Sequence, residues 1–378
     1  MNETILQFGA GNFLRAFYDV FVQEMNNAGK NVGKIVVVQS TDGDRARLLN
    51  ESGGAYHIVV RGLENGQPVD RVQKVESISR ALTAQSDWEA VQEFTKSPDL
   101  HTIVSNTTEA GLVLEDADRT WTPTDGVAPA SFPARLLALL RTRWEADPNL
   151  PSPLMLPCEL MDHNADLLRN LVSEQAERWQ WQESGFTDWL ANSCAWANTL
   201  VDRIASGKPA EHPLLDSDPL LCVTEPYQFF AVEDHPATAY LDHPAIHRVP
   251  DVQPYSLRKV RILNGTHTAL VAYCRTHRPE IRLVREAVTD AEVGAWIRGL
   301  LWEEIVPTIA DRVPDAEGFA TQTMERFANP YLDHRLESIA LHHETKVQVR
   351  LVPTLHEYRE KFGKDPERLS SVLTGVVS

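Results

Sequence analysis

Lys259, Asn264 and His267 stand close together in the chain and are residue types that hold or move protons at a carbonyl or hydroxyl oxygen. In an α-helix successive residues turn by about 100°, which puts the three at roughly 0°, 140° and 80°, within one side of the cylinder. An ammonium, an amide and an imidazole so placed can hold one substrate oxygen, the lysine exchanging its proton while the other two orient it. A solvated Lys and His with an incidental Asn is the plainer alternative, and spacing alone favours it. The free lysine pKa of about 10.4 is poorly matched to work near neutral pH, so burial and the flanking Arg258 and Arg261 would have to lower it. On an α-helix those two arginines sit roughly 100° before and 200° after Lys259, so at most one shares its face.

The elements that would position such a cluster begin at the N-terminus. Ile5 to Phe8 is short and apolar and runs into Gly9-Ala-Gly11-Asn12-Phe13-Leu14-Arg15. This order predicts a strand, a glycine turn and a helix: Gly9 permits the tight turn, and Gly11 lets backbone amides approach a pyrophosphate. Leu14 stands where the common fingerprint has its third glycine, which weakens the motif taken alone. Lys34 to Val38 is nearly continuous β-branched sequence, the signature of a parallel strand buried on both faces. Asp42 follows it and is the candidate for the adenosine ribose, with Arg45 and Arg47 close enough to accommodate a 2′-phosphate instead. Ser52 to Gln73 alternates short apolar runs with Gly and Asn and reads as inserted hairpin strands without chemistry. Thr102 to Ser105 then enters Asn106-Thr107-Thr108-Glu109. Ligands of open α/β sheets bind beyond the carboxyl ends of strands, so these four residues are candidates for the cofactor crevice. Ser131 and Pro133 start a helix with scaffold periodicity. Pro153 to Glu159 reads as another short buried strand. From about Pro250 the pattern is mainly helical, including Asp290 to Ile309.

Lys-x4-Asn-x2-His opening a long helix, two-thirds along a chain that starts with a dinucleotide turn, resembles the polyol-specific long-chain dehydrogenase family. The resemblance runs nearly from end to end. It places Arg15 beside the cofactor phosphates and Asp202 and Arg203 near the substrate, a buried structural ion pair being the alternative for the latter two. Ser-Asn-Thr-Thr-Glu-Ala-Gly at 105–111 and Cys158-Glu159-Leu160 are similar to the hexuronate-reducing members. Mannitol-type members carry Asn at the position of Leu160, and a glutamate at that of Ser256 as a proton outlet. Segments containing His334, Lys346 and Arg350 also resemble the uronate reductases, and His334 and Arg350 are candidates for the substrate carboxylate. The family implies an α/β chain with a Rossmann-type NAD-binding domain at 1–250 and a mainly helical substrate and catalytic domain at 251–378. It also implies metal-independent, NAD-linked interconversion of a secondary alcohol and a ketone on an open-chain sugar acid, with Lys259 as general acid and base. A sugar-phosphate or simple polyol enzyme would share the lysine cluster. A cofactor-sensing binding protein is the non-enzymatic alternative, and the intact Lys259, Asn264 and His267 argue against it.

Composition bounds these readings. A chain of 378 residues is comfortable for two domains. Its net charge of -17 at pH 7 argues against a duplex nucleic-acid binder, which needs a basic footprint. An anionic substrate remains compatible, because a local cluster of cations reverses the potential inside one cleft. Cys158, Cys194, Cys222 and Cys274 lie far apart without metal-ligand spacing, so neither a zinc site nor a disulfide framework is expected. The first strand begins too near Met1 for a signal peptide, and no stretch reaches transmembrane length. A cytoplasmic protein without a membrane or nucleic-acid partner, acting as a monomer or small homo-oligomer on a small sugar acid, is the expectation.

Overall fold

The computed structural model describes residues 1–107, 111–123 and 126–373. The chain forms two compact units, the first made of Met1–Val60, Arg71–Thr224 and Gln228–Val252, the second of Arg61–Asp70, Glu225–Tyr227 and Gln253–Ser378.

The strands in chain order are β1 (Glu3–Phe8), β2 (Lys34–Gln39), β3 (Tyr56–Glu64), β4 (Gln67–Val75), β5 (Ile78–Thr83), β6 (Thr102–Ser105), β7 (Leu154–Pro157) and β8 (Ala195–Trp196). They are followed by β9 (Thr199–Asp202), β10 (Ala205–Ser206), β11 (Cys222–Thr224), β12 (Phe229–Glu233) and β13 (Ile246–Val249). Six strands make a wholly parallel sheet in the order β5-β2-β1-β6-β7-β8. Counted along the chain this is the doubly wound order 3-2-1-4-5-6 of the Rossmann fold.

The sheet explains the strand sequences. Ile5, Ile35, Val37, Val104, Leu154 and Leu156 face one core with Phe17 and Phe21, whereas Leu6, Val36, Val38, Ile103 and Met155 face a second core with Trp88, Leu136 and Leu140. Because both faces are covered, alternate side chains are all apolar and the strands read as continuous runs. The covering helices are α1 (Asn12–Arg15), α2 (Tyr18–Asn27), α3 (Arg45–Glu51), α4 (Trp88–Thr95), α5 (Phe132–Ala146), α6 (Asn164–Arg178) and α7 (Ser184–Asn192). As its sequence predicts, α5 starts on the Ser131 hydroxyl, which accepts from the Ala134 amide, with proline in the first turn.

The insertion read as hairpin strands is the β3-β4 pair, turned at Asn65 and Gly66, both at positive φ, the geometry that suits a two-residue hairpin turn. The hairpin tip belongs to the second unit, where the Gly66 amide donates to the Glu325 carboxylate and the Asn329 amide donates to the Arg61 carbonyl.

Elsewhere the second unit is helical: α8 (Gln253–Arg258), α9 (Gly265–His277), α10 (Val284–Thr289), α11 (Ala291–Gly299), α12 (Val306–Ile309), α13 (Ala316–Phe327), α14 (Leu336–Ile339), α15 (His343–Arg350), α16 (Val352–Phe362) and α17 (Glu367–Leu373). One core of Ile262, Leu270, Ile297, Leu300, Phe319 and Leu351 with their neighbours holds these helices together. The long helix expected from Asp290 to Ile309 is α11 and α12 joined by a π-helical stretch at Leu300–Ile305. No described helix is long and apolar enough to cross a membrane.

Candidate active site

In the second unit, Lys259–Asn264 is not α-helical but a π-helical turn between α8 and α9, with the Gly265 amide reaching the Val260 carbonyl five residues back. This corrects the α-helical expectation for the cluster. In an i→i+5 turn, residues five apart fall on one face of the helix, whereas an α-helix would separate them by roughly 140°. Lys259 and Asn264 are therefore brought into one row. His267 follows in the first turn of α9, buried, its ring stacked on Phe327 at 4.0 Å between centroids and 20° between planes. His334 meets the same imidazole edge-on at 5.0 Å. Burial lowers the His334 pKa below the ordinary histidine value, which favours a neutral ring. Arg350, at the end of α15, donates to the Thr268 hydroxyl at 3.3 Å, and that hydroxyl donates to the Asn264 carbonyl at 2.8 Å. Lys346 donates to the Ile339 carbonyl.

Arg258 and Arg261 are engaged away from the lysine row. Arg258 packs over the Phe319 ring and donates to the Pro314 carbonyl, and Arg261 bonds Thr354 and Glu357. They anchor the π turn on both sides. Arg326, part of a family-like segment but given no role from the sequence, makes a bidentate, buried pair with Glu225 and lies over the Tyr227 ring, tying residues 225–227 to α13. Only its neighbour Phe327, which floors His267, suggests why this segment matters.

In the first unit, a cavity of about 360 Å3 opens at the carboxyl ends of β1, β2 and β6, lined by Gly9, Ala10, Gly11, Gln39, Arg45, Asn106, Thr107, Ser131 and Arg135 among others. Gly9 has φ of 129°, and a Cβ there would meet Leu14 at 3.2 Å and the Asn106 carbonyl at 3.3 Å. A Cβ on Gly11 would enter open space. Gly9 is thus required by the backbone and by close packing, while Gly11 keeps the turn open toward the cavity. Leu14 is buried under the turn and fills the position where a third glycine was missed.

The loop after β6 is held from the end of β7. Asn106 donates to the Cys158 carbonyl at 2.7 Å, and Glu159 accepts from the Thr107 amide at 2.8 Å, the Thr107 hydroxyl at 3.1 Å and Ser105 at 3.2 Å. Burial raises the Glu159 pKa, opposed by these donors. Glu159 is a positioning residue for the cavity wall that sequence reading noticed only as part of a pattern. Thr108 and Glu109 lie outside the described residues.

Arg15 is buried. It donates to the carbonyls of Ala10 and Leu220 and to Asn12 Oδ1, and stands over the Tyr56 ring, so it braces the glycine turn from inside. Asn12 and Arg15 line a second cavity, also about 360 Å3, with Arg45 and Lys208. Phe13 stacks on Phe17. Asp42 is exposed beside Gln85 and lines neither cavity, whereas Arg45 lines both. The β2 terminus instead presents Gln39, which accepts from the Ala46 amide and donates to the Thr41 and Gly43 carbonyls, shaping the loop. Asp202 and Arg203 are buried in the first unit at the end of β9, Arg203 donating to the Ala16 carbonyl at 2.6 Å.

The residues found at the cavity fit a dinucleotide: a glycine turn at the end of the first strand, open space beside Gly11, cations at Arg45 and Arg135, and a loop of amides and hydroxyls after β6. The Mannitol dehydrogenase Rossmann domain family matches residues 3–243, and the Mannitol dehydrogenase C-terminal domain family matches residues 251–378.

The chain belongs to the mannitol dehydrogenase family.

Within it, the chain is 37% identical to an altronate oxidoreductase of Bacillus subtilis over 97% of its own length and 77% of that protein's. It is 34% identical to an altronate oxidoreductase of Klebsiella pneumoniae over 100% of its length and 79% of the relative's. Among solved structures, the Pseudomonas fluorescens mannitol 2-dehydrogenase ternary complex with NAD and D-mannitol superposes with a TM-score of 0.78 at 22% identity, covering 99% of this chain and 78% of that one. A D-sorbitol dehydrogenase in substrate-free form gives 0.85 at 22% identity, covering 99% and 79%. Both show the same fold. Among the described residues, no group of three His, Cys, Asp or Glu side chains is arranged to hold a metal ion.

Proposed function

We propose that this protein is an NAD-dependent oxidoreductase acting on an open-chain hexonic acid, altronate and tagaturonate being the first pair to test. The observation that carries the substrate reading is the near full-length similarity to relatives named altronate oxidoreductase. NAD supplies the hydride acceptor when bound. Gly9, Gly11, Asn106 and Thr107 hold it at the first unit's cavity, with Arg45 and Arg135 as cations for its phosphates. In the second unit, neutral Lys259 takes the hydroxyl proton during oxidation and, as ammonium, returns it during reduction. Asn264 and His267 hold the oxygen on which charge develops. His267 is kept in one orientation by Phe327 and His334, so the substrate oxygen meets a fixed imidazole. Arg350 and His334 are the groups of this unit for the sugar-acid carboxylate.

The test compares kcat/KM for tagaturonate, fructose and fructose 6-phosphate with NADH and NADPH. Tagaturonate with NADH leads if the reading is right. A lead for fructose or its phosphate overturns the substrate, and a lead for NADPH moves ribose recognition to Arg45.

A further inference from the structure

A cavity of about 550 Å3 in the second unit has Arg275, Arg282, Arg335 and Glu337 on its wall, over apolar surface from Val271, Ile281 and Leu336. None of the residues given catalytic or substrate roles lines it. Its frame is built from backbone. Val271 and Arg275 lie one turn apart on α9, while Leu283 pairs antiparallel with Arg335, flanked by bonds from Val284 to the His334 carbonyl and from Leu336 to the Arg282 carbonyl, both 2.9 Å. Arg282 and Arg335 are thereby held side by side in the chain fold.

Arg275, Arg282 and Arg335 are exposed. With 53 Asp and Glu in the chain, acidic partners are abundant, and neighbouring arginines find them: Arg278 bonds Glu280 and Asp290, and Arg285 bonds Asp333. Among the described residues, Arg275, Arg282 and Arg335 have no carboxylate in salt-bridge range. Three arginines against one carboxylate, Glu337, leave the cavity wall net positive, and an anion entering it is attracted. Arginine forks suit phosphate and carboxylate oxygens in paired hydrogen bonds. The volume is that of a small-molecule pocket, and the apolar surface gives a ligand body somewhere to pack.

We propose that this cavity binds a small organic anion carrying at least two negative charges on an apolar body, either a phosphate monoester or a dicarboxylate. The site is separate from the Lys259 cluster and does not depend on the substrate assigned there.

Isothermal titration of the full chain with phenyl phosphate and with phthalate, against chloride of matched ionic strength, tests it. The expected result is saturable one-to-one binding of at least one of them. Arg275→Gln together with Arg282→Gln weakens it ten-fold or more, and Lys96→Gln, which changes a surface cation paired with Glu93, leaves it unchanged. Which probe binds more tightly tells phosphate ester from dicarboxylate. Thermal unfolding of the double variant without ligand is expected to match wild type within a few degrees, so that weakened binding reports the lost cations rather than lost folding. Absence of saturable binding by both probes, or equal binding by wild type and the double variant, overturns the proposal.

Discussion

Lys259, Asn264 and His267 divide the proposed chemistry unequally, and this sets what each substitution costs. A proton carrier acts on the transition state more than on cofactor affinity. Lys259→Ala is therefore expected to abolish turnover while leaving NADH affinity within a few-fold, and a kcat above a tenth of wild type rules out the lysine. Asn264→Ala and His267→Ala remove one donor each from a shared oxygen site and are expected to cost about 10²- to 10³-fold in kcat. Much of this cluster was legible because polar residue types at close spacing survive in the sequence as a pattern. Glu159 and Gln39 were not, since their roles rest on partners about fifty residues away or on a loop that folds back. The position of Asp42 has a related origin: the loop after β2 is shaped by Gln39, and it carries Asp42 to the surface beside Gln85.

At the scale of elements, the π turn is the feature on which the cluster depends. Its i→i+5 bonding places Lys259 and Asn264 in register along the helix, and Arg258 and Arg261 anchor it from outside. Arg326 and Glu225 are the other element-level tie. Their pair is buried and bidentate, so Arg326→Ala leaves a carboxylate without its partner and is expected to lower unfolding free energy by about 3–5 kcal/mol, measured by urea titration.

For the molecule as a whole, pH acts through a carboxyl in the core of the first unit. Asp19 is fully buried, and burial pushes its pKa up to about 7, opposed by the Tyr56 hydroxyl, Gln7 and Arg15. Folded chains then hold a proton on Asp19 that unfolded chains have released above the ordinary aspartate range, so stability falls as pH rises from about 4 to about 7. Asp19→Asn removes this term while still accepting from Tyr56. The melting temperature of the variant relative to wild type is expected to increase from pH 5 to pH 8, and a constant difference would mean that Asp19 is ionised in the fold at both.

The amino-acid sequence by itself determined the family, the doubly wound cofactor unit and the close spacing of Lys259, Asn264 and His267, because these depend on local order: apolar runs, glycine turns and residue types at short spacing. Tertiary structure alone decided that Lys259 and Asn264 lie on a π turn, that the β3-β4 hairpin tip and residues 225–227 join the helical unit, and that Arg15 braces the turn from within. It also decided which arginines of an acidic chain meet carboxylates and which three remain together on the wall of one cavity. Each of these depends on hydrogen bonds and ion pairs between distant residues, and no local pattern encodes which partner a side chain will meet.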